Sequence, residues 1–286
     1  LIGSLAKVDH SLKKPQLLIL CPNRELAEQI FYNFEELNKF LKLKGAFIIG
    51  GKSLEENFRD FDGGAQVIIG TPGRVYDMMK RSVFKTEDLK CFIMDEADEM
   101  LSQGFKDQVY DIFQIIPNKC QVCVFSATMP EATLELTRKF MNNPTSILVK
   151  KEQVTLDGIK QYYVGVEQES WKLDILLDLY DKLSVSQTII FVNSKRKAIY
   201  LKDQLEKHNF TIGCIHADLT QLEREKIMKS FRKGDFRILI GTDIIARGLD
   251  IQQISAVINF EIPKQCETYV HRVGSLWSIW STRYCS

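Results

Sequence analysis

"CFIMDEADEML" (residues 91–101) sets four apolar residues directly against a run of acids. Cys91 to Met94 carry no alternation, so they read as a strand covered on both faces, as the strands of parallel sheets are. That strand delivers Asp95 and Glu96 at its carboxyl end, where open α/β sheets hold their ligands. In phosphoryl-transfer chemistry one carboxylate there holds Mg²⁺ through water, and a second group orients the attacking water. Asp95 suits the first task and Glu96 the second. An Asp-Glu pair after a strand reads equally well as an acidic helix start favoured by the helix dipole.

Working outward, the same strand type recurs in "QLLILCP" (16–22), "GAFIIGG" (45–51), "AQVIIGTPGR" (65–74) and "QVCVFSAT" (121–128). Amphipathic stretches at 24–41, 73–82 and 130–141 predict intervening helices. The second half repeats the alternation, with strands in "QTIIFVNS", "TIGCIHA", "FRILIGTD" and "AVINFEIP" and helices in 195–209 and 221–234. Strand and helix alternating in this way predict parallel sheets flanked by helices. The polar segment "VKKEQVTLDGIKQ" divides two α/β domains with a cleft between them. The expected bounds are a first domain at residues 1–150, a linker at 151–157 and a second domain at 158–286.

Composition narrows the function classes. With 38 basic and 37 acidic residues, bulk charge does not argue for nucleic acid, so any such contact must be local. No apolar run approaches the ~20 residues of a membrane span, and no signal-peptide pattern is present. Seven cysteines are scattered, which fits a reducing intracellular compartment, cytoplasmic or nuclear. Cys120 and Cys123 form a C-x-x-C pair without a second pair or a Cys/His cluster to complete a metal site, and Cys123 reads as buried packing.

Nine short motifs follow one another in a fixed order: "PNRELAEQ" (22–29), "GG" (50–51), "TPGR" (71–74), "DEAD" (95–98), "SAT" (126–128), "IIFVNSKRKA" (189–198), "QLER" (221–224), "TDIIARGLD" (242–250) and "HRVG" (271–274). Each alone has an ordinary reading as a turn glycine, a helix cap or a solvated charge. Their succession resembles the DEAD-box ATP-dependent RNA helicases and covers the chain up to Gly274. "DEADEMLSQGFKDQVYDIFQIIP" and "ESWKLDILLDLYDKL" are most similar to the translation initiation factor 4A branch.

The resemblance implies two RecA-like domains, ATP and Mg²⁺ as cofactors, and RNA, single-stranded or duplex, as a sequence-independent partner. It further implies a monomer, no membrane association, and protein regulators that clamp the domains. It assigns Asp95 to Mg²⁺ and Glu96 to the hydrolytic water, while Asp98, Ser126 and Thr128 link the nucleotide site to RNA. Pro22, Arg24, Glu25, Gly50, Gly51, Thr71, Pro72, Gly73 and Arg74 match the first-domain RNA contacts, with Asn23 where the family usually has threonine. In the second domain Phe191, Arg224, Thr242 and Asp243 match RNA-associated elements. Arg247, Gly248, Asp250 and Arg272 match nucleotide-facing ones. Arginines and glycine turns can hold phosphates without reading bases, and no aromatic array suggests base stacking.

Two departures stand out. No G-x-x-x-x-G-K-[ST] loop occurs anywhere in the 286 residues. The sequence reading expects a chain truncated at its N-terminus, starting just after that loop. At the other end the resemblance implies arginines at 275, 278 and 281 and glycines at 277 and 280. The chain has Ser275, Ser278, Ser281, Trp277 and Trp280 instead. Tryptophan has the single codon TGG, and a frame one base later begins GG, which encodes glycine. A frame slip near residue 275 is therefore expected. These 286 residues are expected to hydrolyse little or no ATP, and a non-catalytic RNA- or protein-binding module and a DNA-acting ATPase are the rival readings.

Overall fold

The computed structural model describes residues 1–101, 104–148, 159–182, 186–245 and 254–274, with Ala132 described by its backbone alone. The chain divides into one unit at Leu1–Ile147 and another at Leu148–Ser286. The expected linker at 151–157 lies outside the described residues.

The first unit runs α1 (Ile2–Leu5), β1 (Leu17–Leu20), α2 (Arg24–Leu41), β2 (Gly45–Ile48), α3 (Leu54–Asp60), β3 (Val67–Gly70), α4 (Pro72–Lys80), β4 (Cys91–Met94), α5 (Ala97–Leu101), α6 (Lys106–Ile115), β5 (Gln121–Val124) and α7 (Glu131–Phe140). Its sheet has the order β2-β3-β1-β4-β5, and every pair is parallel. β1, β3 and β4 are buried at every residue, which explains why none of them carries a polar side chain. One face packs Leu18, Leu20, Ile68, Phe92 and Met94 under α4 to α6, and the other packs Leu17, Ile19, Val67, Ile69 and Phe34 under α2. β5 is an edge strand with a neighbour on one side only.

The second unit runs α8 (Trp171–Lys182), β6 (Gln187–Phe191), α9 (Lys195–Lys207), β7 (Ile212–Ile215), α10 (Gln221–Lys233), β8 (Ile238–Gly241), a 3₁₀ turn at Asp243–Ile245, β9 (Ile254–Asn259) and α11 (Cys266–Gly274). Its parallel sheet has the order β7-β8-β6-β9. Both sheets thus bear out the expected α/β class.

Local chemistry places the helix starts. Asn23 caps α2 by accepting from the Leu26 N–H, so this departure from the family's usual threonine keeps a capping side chain. Ser53 with Glu56, and Thr220 with Glu223, form complete capping boxes on α3 and α10. Pro72 sits in the first turn of α4, where its missing N–H costs nothing. α10 ends on Gly234 at φ 81°, a left-handed position that glycine enters without strain.

Candidate functional site

β4 ends at Met94, and the chain turns at once. Glu96 has φ 54°, a left-handed conformation that is costly for a residue with a side chain. The Glu96 N–H donates to Asp95 Oδ1 at 3.1 Å, and the Ala97 N–H reaches the Phe125 carbonyl beyond β5 at 3.0 Å. This tight turn sets Asp95 and Glu96 at the carboxyl end of the sheet. Burial raises the Asp95 pKa, offset in part by the Glu96 N–H and the Leu1 amino group. The neighbouring Cys21 thiol is pushed well up by burial and then by the Asp95 and Glu96 charges. A carboxylate raised mainly by desolvation is short of counter-charge, and its oxygens are the hard ligands that Mg²⁺ takes. These residues therefore fit a bound Mg²⁺.

Asp98 lies one helical step inside α5 and is buried. Ser126 Oγ donates to its Oδ1 at 2.6 Å and Thr128 Oγ1 to its Oδ2 at 2.5 Å. Both hydroxyls are therefore tied to the acidic motif; α7 begins after Pro130 with no side-chain cap. A rigid link now joins the strand-end acids to the loop after β5.

The RNA-associated residues of this unit form one assembly. Arg24 opens α2 with its guanidinium against the Gly50–Gly51 turn: a Cβ on Gly51 would meet Arg24 Nη1 at 2.7 Å, and Gly51 has φ 93°. Only glycine suits that position. The next residue, Lys52, offers its carbonyl to Arg74 Nη1 at 2.9 Å. The same Nη1 donates to Asn57 Oδ1 at 2.6 Å. Pro22, Thr71 and Pro72 are buried beneath this assembly and Glu25 is half-buried, while Gly73 faces open space.

Arg272 is fully buried. Its guanidinium donates to Asp243 Oδ1 (2.7 Å), Asn259 Oδ1 (3.1 Å), the Glu261 carbonyl (2.8 Å) and Asn193 Oδ1 (2.8 Å). It also lies 5.2 Å from the centroid of the Phe191 ring. Arg272 thereby gathers the carboxyl ends of β6, β8 and β9. Phe191 is fully buried, as its place in an apolar strand predicts, and its ring lies under that guanidinium. Asp243 is exposed and paired with Arg272, with half-buried Thr242 beside it. Arg224 Nη2 donates to the Ala217 carbonyl at 2.7 Å. Arg247, Gly248, Asp250 and the segment 275–286, including the expected frame slip, lie outside the described residues.

Among the described residues Cys120 joins no cluster of metal ligands, and burial pushes its thiol up to about 11. Cys123 is half-buried rather than buried, because β5 is the sheet edge. Sequence reading missed Asn57, Asn193, Asn259 and Glu261. Asn57 had a signal: it occupies a polar slot in the helical stripe Leu54, Asn57, Phe61. The other three act only through contacts distant in sequence.

Comparison with known proteins agrees with this geometry. Residues 1–137 match the DEAD/DEAH box helicase family, and residues 171–278 match the helicase conserved C-terminal domain. The chain is 52% identical over 273 residues to the ATP-dependent RNA helicase eIF4A of Scheffersomyces stipitis, covering 96% of this chain and 69% of that protein. It is 51% identical over 272 residues to eukaryotic initiation factor 4A-1 of Arabidopsis thaliana, covering 95% and 66%. Among solved structures, S. cerevisiae Dbp5 bound to RNA and ADP BeF3 is similar at TM-score 0.87 and 33% identity, over 96% of this chain and 71% of that one. Dbp5 L327V bound to Gle1 H337R and IP6 is similar at TM-score 0.77 and 33% identity, over 96% and 70%. Both sheets match the RecA-like domains of such proteins.

Proposed function

This chain belongs to the DEAD/DEAH box helicase family, and from that membership we propose that it is built for ATP-dependent work on RNA of the eIF4A kind, local unwinding or clamping. The observation that carries the reading is the Arg24, Gly50–Gly51, Lys52 and Arg74 assembly, in which three motifs separated in sequence meet with two guanidinium groups. Guanidinium groups beside a glycine turn hold a phosphate backbone without reading bases, so the RNA is bound independently of sequence. Thr71 and Gly73 extend that contact within the first unit, and Thr242, Asp243 and Arg224 are the proposed RNA contacts of the second unit. Phe191 and Arg272 serve these indirectly, by holding Asp243 in place.

ATP and Mg²⁺ are the proposed cofactors. Asp95 would hold Mg²⁺ and Glu96 would orient the hydrolytic water, with Asp98, Ser126 and Thr128 tying that site to the loop after β5. Bound Mg²⁺ supplies neutralisation of phosphate charge. In the second unit Arg247, Gly248, Asp250 and Arg272 are the proposed nucleotide contacts. The domain bounds proposed are 1–150 and 158–286 around a linker at 151–157. Protein regulators and a place of work in the cytoplasm or nucleus belong to the same proposal, which takes the chain as a monomer. Among the described residues no helix is long and apolar enough to cross a membrane.

The second reading concerns hydrolysis. No G-x-x-x-x-G-K-[ST] loop exists in these 286 residues, and Ser275 and Ser278 stand where the family resemblance implies arginines. Such arginines contribute about 10³–10⁵ in rate in related phosphoryl transfer. We therefore propose that these residues on their own bind RNA and turn over little or no ATP.

Binding of fluorescein-labelled ten-nucleotide RNAs tests the RNA reading. Oligouridylate and a mixed sequence should bind within about threefold of each other, with an affinity that falls linearly in log–log salt plots, as backbone contacts require. DNA of the same sequence should compete about tenfold less well. Equal competition by DNA, or a strong base preference, contradicts it.

A further inference from the structure

Arg74 has half-buried surroundings, and its guanidinium could adopt several rotamers on an exposed helix start. The structure shows what restrains it. Nη1 donates both to the Lys52 carbonyl at 2.9 Å and to Asn57 Oδ1 at 2.6 Å. Asn57 is itself fully buried, 17 residues away in sequence, and its Nδ2 reaches the Phe47 carbonyl of β2 at 3.4 Å. The α3 capping box of Ser53 and Glu56 fixes the helix that carries it. Asn57 thus ties β2, α3 and α4 together at one guanidinium nitrogen.

From this geometry we propose that Asn57, which lies in none of the nine motifs, is a positioning residue that presets Arg74 for an RNA phosphate. The proposal rests on reading Arg74 as a phosphate contact. Its chemistry is specific. A neutral amide oxygen accepts from Nη1 and leaves the full guanidinium charge available. Among the described residues Nη1 alone has a protein partner, so Nε and Nη2 keep the fork that binds phosphate in a bidentate manner. Fixing the fork beforehand removes ordering that binding would otherwise have to supply. The Lys52 carbonyl makes the same nitrogen the link between the glycine turn and the "TPGR" motif, so the two elements move as one.

A double-mutant cycle on the purified chain, read by oligouridylate affinity, separates positioning from mere stabilisation. Arg74→Ala should weaken RNA binding about tenfold and lower the salt slope by about 0.7, one phosphate on a single strand. Asn57→Leu should weaken it about threefold to tenfold with Arg74 present and by no further factor in the Arg74→Ala background. Asn57→Asp, which keeps an acceptor but sets its charge against the guanidinium and loses the donor to the Phe47 carbonyl, should also weaken binding about threefold or more, and only with Arg74 present. If Asn57→Leu does not fold, judged by its thermal transition, Asn57→Ala gives the same cycle. Equal losses in both Arg74 backgrounds, or an unchanged affinity in a folded Asn57→Leu variant, overturn the positioning role while leaving Arg74 as a contact. An Arg74→Ala variant that binds RNA like the parent removes the contact itself and the positioning role with it.

Discussion

Asp98 is the residue on which the acidic strand end and the loop after β5 converge. A buried carboxylate is tolerated when its lone pairs are filled, and Ser126 and Thr128 fill one oxygen each. Removing either hydroxyl leaves a buried charge partly unsatisfied. Ser126→Ala should therefore cost about 1–3 kcal/mol, seen as a lower urea midpoint. An unchanged midpoint would mean that water replaces the hydroxyl. Arg272 follows the same logic with the sign reversed: a buried cation with four oxygen partners on three strand ends. Its place in a motif was legible in sequence, but its partners were not, since one of them, Asn193, lies 79 residues away. A side chain written in a nucleotide-facing motif here spends its donors inside its own unit.

At the scale of elements, both units use the same device: a buried apolar strand that stops at glycine, followed by threonine. β3 ends at Gly70 before Thr71, and β8 ends at Gly241 before Thr242. At Gly70 the reason is close packing, since a Cβ there would meet the Ile48 carbonyl oxygen at 2.1 Å. Gly70→Ala should destabilise the first unit by about 1–3 kcal/mol through overpacking, measured by urea unfolding; no loss would place the constraint elsewhere. The strands were legible because burial on both faces demands unbroken Leu, Ile and Val. The helices α2, α4, α7, α9 and α10 were legible from their amphipathic spacing and caps. α3 and α5 were not expected, since seven and five residues give too short a period to register. Asn57 shows the corresponding limit at the site: with α3 too short to register, its acceptor role exists only once Arg74 folds beside it.

For the whole molecule, a net charge of +1 conceals local asymmetry. Arg24 and Arg74, after β1 and β3, and the acids after β4 all follow the carboxyl ends of parallel strands in one sheet, so cationic and anionic groups share that edge. What the 286 residues lack is the loop that would cradle the β- and γ-phosphates. The account therefore separates two activities that the family joins, RNA binding and ATP turnover. Phosphate release from Mg·ATP by the purified chain, with and without saturating oligouridylate, measures that separation most directly. The account predicts release at background with RNA bound. RNA-stimulated release well above background would contradict it.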